Sequence, residues 1–88
     1  MAGKPRKSPK PAPGLINVEA LINGCGQITI GRLHPFDCVA IANDESSSLA
    51  MLVRRPGESL GDLLQRLDAA IEAAYEYDEF IDEVNGPR

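Results

Sequence analysis

The chain contains no tryptophan, one histidine and two cysteines in 88 residues. Those scarcities exclude much. Cys25, His34 and Cys38 are the only soft metal ligands. They lack a fourth member, and their spacing matches no zinc finger or ribbon. A Cys–His nucleophile pair is disfavoured because Cys38 lies in the apolar run Val39-Ala40-Ile41, and a reactive thiolate needs a polar, charge-stabilised setting. Asp37, Asp44 and Glu45 supply carboxylates with nothing to fix a pair about a substrate. No glycine-rich phosphate loop is present, because Gly24-Cys25-Gly26 precedes a strand pattern rather than a helix. No catalytic residue, metal or cofactor is therefore assigned, and a non-enzymatic protein is expected.

Long apolar runs are missing too. Nothing approaches the ~18 residues of a transmembrane helix, and the N-terminus lacks the apolar core of a signal peptide. The expectation is a cytoplasmic protein with two reduced thiols, a Cys25–Cys38 disulfide being the less favoured alternative.

Charge is present but unevenly placed. Met1–Gly14 holds four prolines, four basic residues (Lys4, Arg6, Lys7, Lys10) and no acid. Too little apolar surface is available there to offset ordering entropy, so a disordered basic arm with polyproline II character is expected. Leu15–Arg88 is read as one small domain. It carries five basic against thirteen acidic residues, a net charge of -8 hidden beneath the whole-chain value of -4. A domain this short buries a modest core, which makes a partner or a second copy a reasonable way to cover more apolar surface.

The folded part reads as α+β with two layers. Leu15–Asn23 fits a short helix capped by Asn17 and stopped at Gly24, with Val18, Leu21 and Ile22 inward, although its alternation fits a strand almost as well. Gln27–Leu33 and Phe36–Ala42 read as strands separated by His34-Pro35, and Leu49–Arg54 as a third. The short polar link Asn43–Ser48 makes the second and third an antiparallel hairpin. Arg54 and Arg55 are expected to pair with carboxylates such as Glu58 or Asp62.

A long helix then runs from the N-cap Ser59 to Val84. Leu60, Leu63, Leu64, Leu67, Ala70, Ile71, Ala74, Tyr77, Ile81 and Val84 recur at spacings of three and four, an apolar stripe that faces the sheet. Asn85-Gly86-Pro87 supplies the stop, with room for fraying or bending after Tyr75.

The other face of that helix is unusual. Asp68, Glu72, Glu76, Asp78, Glu79, Asp82 and Glu83 fall in sixteen residues without one Lys or Arg. Read as helix, they form like-charge pairs at i,i+4, each costing roughly 0.2–0.5 kcal/mol. The last two also oppose the macrodipole. Uncompensated costs of this kind point to function. The expectation is a protein–protein interaction or inhibitor module that binds a basic partner, such as a nucleic-acid-binding protein, through these acids with Tyr75 and Phe80 beside them. A narrower form is a nucleic-acid mimic, since size and acidity resemble those of phage-encoded inhibitors of bacterial defence. The alternative class is a nucleic-acid-associated accessory protein that binds phosphates through Lys4, Arg6, Lys7 and Lys10, with the acidic domain tethering or forming a homodimer.

Overall fold

A computed structural model describes residues 14–85. The expectations for the basic arm, and for Lys4, Arg6, Lys7 and Lys10, lie outside them. The order is α1 (Ile16–Asn23), β1 (Gln27–Leu33), β2 (Phe36–Asn43), β3 (Ser48–Val53), α2 (Leu60–Tyr77) and β4 (Ile81–Asp82). The strands form one sheet in the order β1-β2-β3-β4. β1, β2 and β3 pair antiparallel, while β4 pairs parallel to β3. The two-layer α+β architecture is as the sequence indicates, with a short fourth strand added.

Register explains which residues meet the helices. Ile28 lies opposite Ala42 and Ile30 opposite Ala40, while Ala40 lies opposite Leu52 and Ala42 opposite Ala50. With a side-chain period of two, these residues share one face. Ala40, Ala42, Ala50 and Leu52 join Leu63, Leu67, Ala70, Ile71 and Ala74 of α2 and Leu21 of α1 in a single core. The alanines bring helix and sheet close. α2 crosses β2 and β3, and α1 sits beside it over β1.

Each helix ends by a device that can be named. Ser59 Oγ accepts the Asp62 N–H at 3.0 Å, so the expected N-cap of α2 is present. α1 closes with the Gly26 N–H donating to Leu21 O and the Cys25 N–H to Ile22 O, the paired bonds of a Schellman turn. The left-handed position of that turn is occupied by Cys25, φ 74°. Gly26 is required beside it, because a Cβ there would collide with Leu21.

α2 stops earlier than the stripe suggests. Asp78 takes a left-handed conformation, φ 57°, and its N–H and that of Glu79 both donate to Ala73 O. Tyr77, assigned to the core stripe, is 69% exposed. Ile81 and Val84, also assigned to it, lie beyond the helix. The chain leaves the helix because the edge of β3 offers Ile81 and Asp82 a backbone ladder, and the Glu83 N–H then donates to Met51 O at 2.7 Å. A helix continued to Val84 would forgo those bonds.

Both left-handed positions hold a residue with a Cβ, which costs about 1 kcal/mol or more relative to glycine. Cys25→Gly and Asp78→Gly are each expected to raise stability by about 1 kcal/mol, seen as a rise of roughly 4–8 °C in Tm. Thermal unfolding followed by circular dichroism measures this, and unchanged or lowered midpoints would contradict the strain assigned to these turns.

Candidate interaction surface

The acidic row divides by what each carboxylate touches. Asp68 is turned inward and 8% exposed. Its Oδ1 accepts the backbone N–H groups of Asn17 at 2.7 Å and Val18 at 2.8 Å, and its Oδ2 accepts Asn17 Nδ2 at 3.0 Å. Those amides are orphan donors of the first turn of α1, whose own N-cap, Leu15, has no side chain to satisfy them. Asn17, expected to cap α1, is instead a donor to a cap supplied from another helix.

Glu83 is also committed. Its Oε1 accepts the Val53 N–H at 2.9 Å, and its Oε2 accepts Arg66 Nη1 at 3.0 Å. Arg66 grips Glu58 with two further donors, Nε to Oε2 at 2.7 Å and Nη2 to Oε1 at 3.1 Å, and Nη2 also donates to Val53 O at 3.0 Å. The Arg66 guanidinium first, and the Arg55 N–H second, hold the Glu58 carboxyl down at about 2, against an ordinary value of 4.5. Glu58 is thus the hub that the two neighbouring arginines also use: Arg54 Nε donates to Glu58 O at 2.8 Å and the Arg55 N–H to Glu58 Oε1 at 2.9 Å. The expected ion pairs of Arg54 and Arg55 with Glu58 or Asp62 are not what forms: the Glu58 carboxylate pairs with Arg66, Arg54 reaches the Glu58 backbone oxygen, and the Arg55 guanidinium lies 3.7 Å from Glu83.

Asp82 closes a turn, its Oδ1 accepting the N–H groups of Val84 at 3.0 Å and Asn85 at 2.8 Å. The Asn85 N–H, chiefly, draws the Asp82 carboxyl below its usual range. Asp78 is the left-handed cap of α2.

Of the seven acids, Glu72, Glu76, Glu79 and the side chain of Asp78, whose backbone alone forms the cap, remain, all exposed. Exposed aromatics interleave with them: Tyr75 at 56%, Tyr77 at 69% and Phe80 at 55%. The chain has four aromatic residues in all, so most of its aromatic surface lies here. The two tyrosines and Phe80 sit at the C-terminal end of α2.

The helix directions add to the charge. Asp68 meets the start of α1, and Tyr75 lines a groove with Leu21 and Gly24 at its end. α1 and α2 therefore run the same way. Each C-terminus carries about half a negative charge, and both fall at the end that presents Glu76, Asp78 and Glu79.

Elsewhere the surface offers less. A broad groove of about 750 Å³ is lined by Asp37, Cys38, Arg54, Arg55, Pro56 and Gly57 among others. Among the described residues, no buried side-chain nitrogen or oxygen lacks a hydrogen-bond partner, and no cluster of three His, Cys, Asp or Glu is placed to hold a metal. Cys25 and Cys38 are free thiols. No helix among the described residues is long and apolar enough to cross a membrane. No protein-family model, curated protein or solved structure matches the chain.

Proposed function

We propose that the chain is a non-enzymatic interaction module that docks on a basic protein surface through the end of α2. The observation that carries this reading is the exposure of Tyr75, Tyr77 and Phe80 among Glu72, Glu76 and Glu79. An aromatic centre with a charged rim is the composition of an interface. Large aromatic side chains supply most of the affinity in such sites, and complementary charge supplies rate and specificity.

The freed carboxylates argue for a protein partner over strict nucleic-acid mimicry. Seven acids from Asp68 to Glu83 would span roughly 22 Å as one helix, whereas the exposed acids of the row that lie on α2, Glu72 and Glu76, stand about 6 Å apart along it at 1.5 Å per residue. Duplex DNA presents a phosphate about every 3.4 Å along each strand, so that helical row imitates about two phosphates of one strand and nothing of the second. Four carboxylates, those of Glu72, Glu76, Asp78 and Glu79, around three aromatic rings suit a compact basic patch better.

The test compares affinity capture from bacterial lysate by the full chain and two variants. Glu72→Gln/Glu76→Gln/Glu79→Gln is expected to lose the captured basic protein, as is Tyr75→Ala/Phe80→Ala. Capture by the wild type should fall as salt rises, because exposed charges are screened within about 10 Å at 0.1 M. Retention by both variants would reject the patch. Recovery of nucleic acid alone, abolished by deleting residues 1–13, would move the function to Lys4, Arg6, Lys7 and Lys10.

A further inference from the structure

The β1 flank is the second uncovered surface, and its chemistry differs from that of the acidic end. Among the described residues β1 forms an outer edge of the sheet, so its outward backbone N–H and C=O groups meet no strand of the described chain. Its sequence, Gln27-Ile28-Thr29-Ile30-Gly31-Arg32-Leu33, has no proline and one charge, at the far end. Edge strands are commonly protected by proline or by charge in the middle, and β1 has neither. Its ladder with β2 is regular from Gln27 to Gly31 and shifts register after that.

The helix above extends the same surface. α1 packs on β1, with α2 on its inner side contacted through Asn17, Leu21 and Gly24. Leu15, Val18 and Ile22 line a separate groove on α1, of about 280 Å³, together with Glu19 and Asn23. Ile22, expected to face inward, is 51% exposed. Below it, Ile30 is on the core-facing side of β1 yet 39% exposed, because no further strand among the described residues lies beyond. The described chain begins at Gly14 against Gln65 of α2.

We propose that this flank pairs with a second copy of itself, β1 against β1 in antiparallel register about a two-fold axis at Thr29. A strand edge accepts a strand, and antiparallel pairing of identical strands meets the self-complementarity of a two-fold interface. Thr29 is the centre of the regular segment Gln27–Gly31, and the shift in register beyond Gly31 bends the strand away. With that centre, Ile28 of each copy lies across from Ile30 of the other on the helix side. Four isoleucines then form one row, roofed by Leu15, Val18 and Ile22 of both α1 helices. Thr29 meets Thr29 on the other face, a favourable cross-strand pair.

Charge selects a second copy over a basic partner here. The domain is strongly acidic, and β1 holds no carboxylate. A strand edge without a carboxylate offers little to a cationic protein, and with Glu19 the one acid of the groove above it, it is a place where two copies of net charge -8 can meet with few opposing acids. Size sets the strength. A shared strand of ~17 Å and one helix layer reach about the 1,000 Å² in total that a specific interface needs, so dissociation in the micromolar range is expected.

Sedimentation velocity of the full chain, over a concentration series from about 1 to 500 μM, tests this. Wild type should pass from monomer to dimer, and Ile30→Lys should weaken the dimer at least tenfold while its circular dichroism spectrum and Tm stay near wild type. Thr29→Cys, in a Cys25→Ser/Cys38→Ser background, should form a disulfide-linked dimer on mild oxidation whether or not Ile30→Lys folds. A monomer throughout the series with no Thr29→Cys cross-link overturns the proposal. So does a dimer that keeps its affinity in a folded Ile30→Lys and does not cross-link. Because Glu72→Gln/Glu76→Gln/Glu79→Gln leaves this flank untouched, that variant should dimerise at least as well as wild type.

Discussion

Replacing Asp68 with alanine is expected to remove about 2–4 kcal/mol of stability, a large fraction of what a domain of this size holds. The carboxylate satisfies two backbone donors at the start of α1 and one side-chain amide. Hydrogen bonds to a charged group contribute about 1.5–3 kcal/mol where neutral ones contribute about 1. Losing an N-cap costs a further ~1 kcal/mol. These terms overlap, so the sum is held below their total. Asp68→Asn should recover part of the loss, since its amide oxygen can still accept a backbone N–H. Glu72→Ala, one turn along on the exposed face, should stay within about 0.5 kcal/mol. Chemical denaturation of the three variants decides the matter. An Asp68→Ala midpoint equal to that of Glu72→Ala would mean that the carboxylate contributes nothing to holding α1. Hydrogen exchange should also show α1 opening ahead of the sheet in Asp68→Ala, because only α1 loses its anchor.

Strands were the most legible part of this sequence. β-branched runs bounded by Pro35 and by Asn43–Ser48 mark β1, β2 and β3 to within a residue, since local chemistry alone sets those ends. Ser59 was readable for the same reason. The end of α2 was not, because Ile81 and Val84 continue a helical period by coincidence, while the backbone of Ile81 and Asp82 pairs with β3, some thirty residues earlier. The like-charge conflict read from the sequence is partly a product of that overlong helix. Asp78/Asp82 and Glu79/Glu83 are not on a helix at all, and Asp68 is withdrawn from the surface. Only Glu72 and Glu76 remain as an exposed i,i+4 acidic pair. One signal for Asp68 was available: it lies four residues after Leu64 and three before Ile71, on the apolar stripe itself. An acid at that position implies burial, and burial implies donors. Which donors they were could not be read, since Asn17 and Val18 are about fifty residues away.

Arg66→Ala is the other substitution expected to act strongly, and pH separates its contribution from ordinary packing. Four contacts from one guanidinium tie α2 to the last residue of β3, to the loop after it and to the segment after β4. Removing it leaves the Glu58 and Glu83 carboxylates facing each other's neighbourhood without their shared cation. A loss of about 2–3 kcal/mol at neutral pH is expected from bonds to a charged group. The acid dependence follows from Glu58. Its folded carboxyl titrates at about 2, below the ordinary 4.5, because Arg66 favours the charged form. The unfolded chain therefore takes up the proton first as pH falls. Stability from this pair is complete above about pH 4.5 and declines as pH drops towards about 2. Asp44, lowered mainly by the Ser46 N–H, and Asp82, lowered mainly by the Asn85 N–H, bend the curve in the same direction. Both stay intact in Arg66→Ala, so the variant should retain a shallow acid slope and lose the Glu58 part of it. Urea unfolding at pH 7, 4.5, 3.5 and 2.5 measures the difference. Convergence of wild type and Arg66→Ala as pH falls is the expected result. A gap of constant size across that range would show that Arg66 acts through its aliphatic stem and its bond to Val53 O, with Glu58 only a bystander.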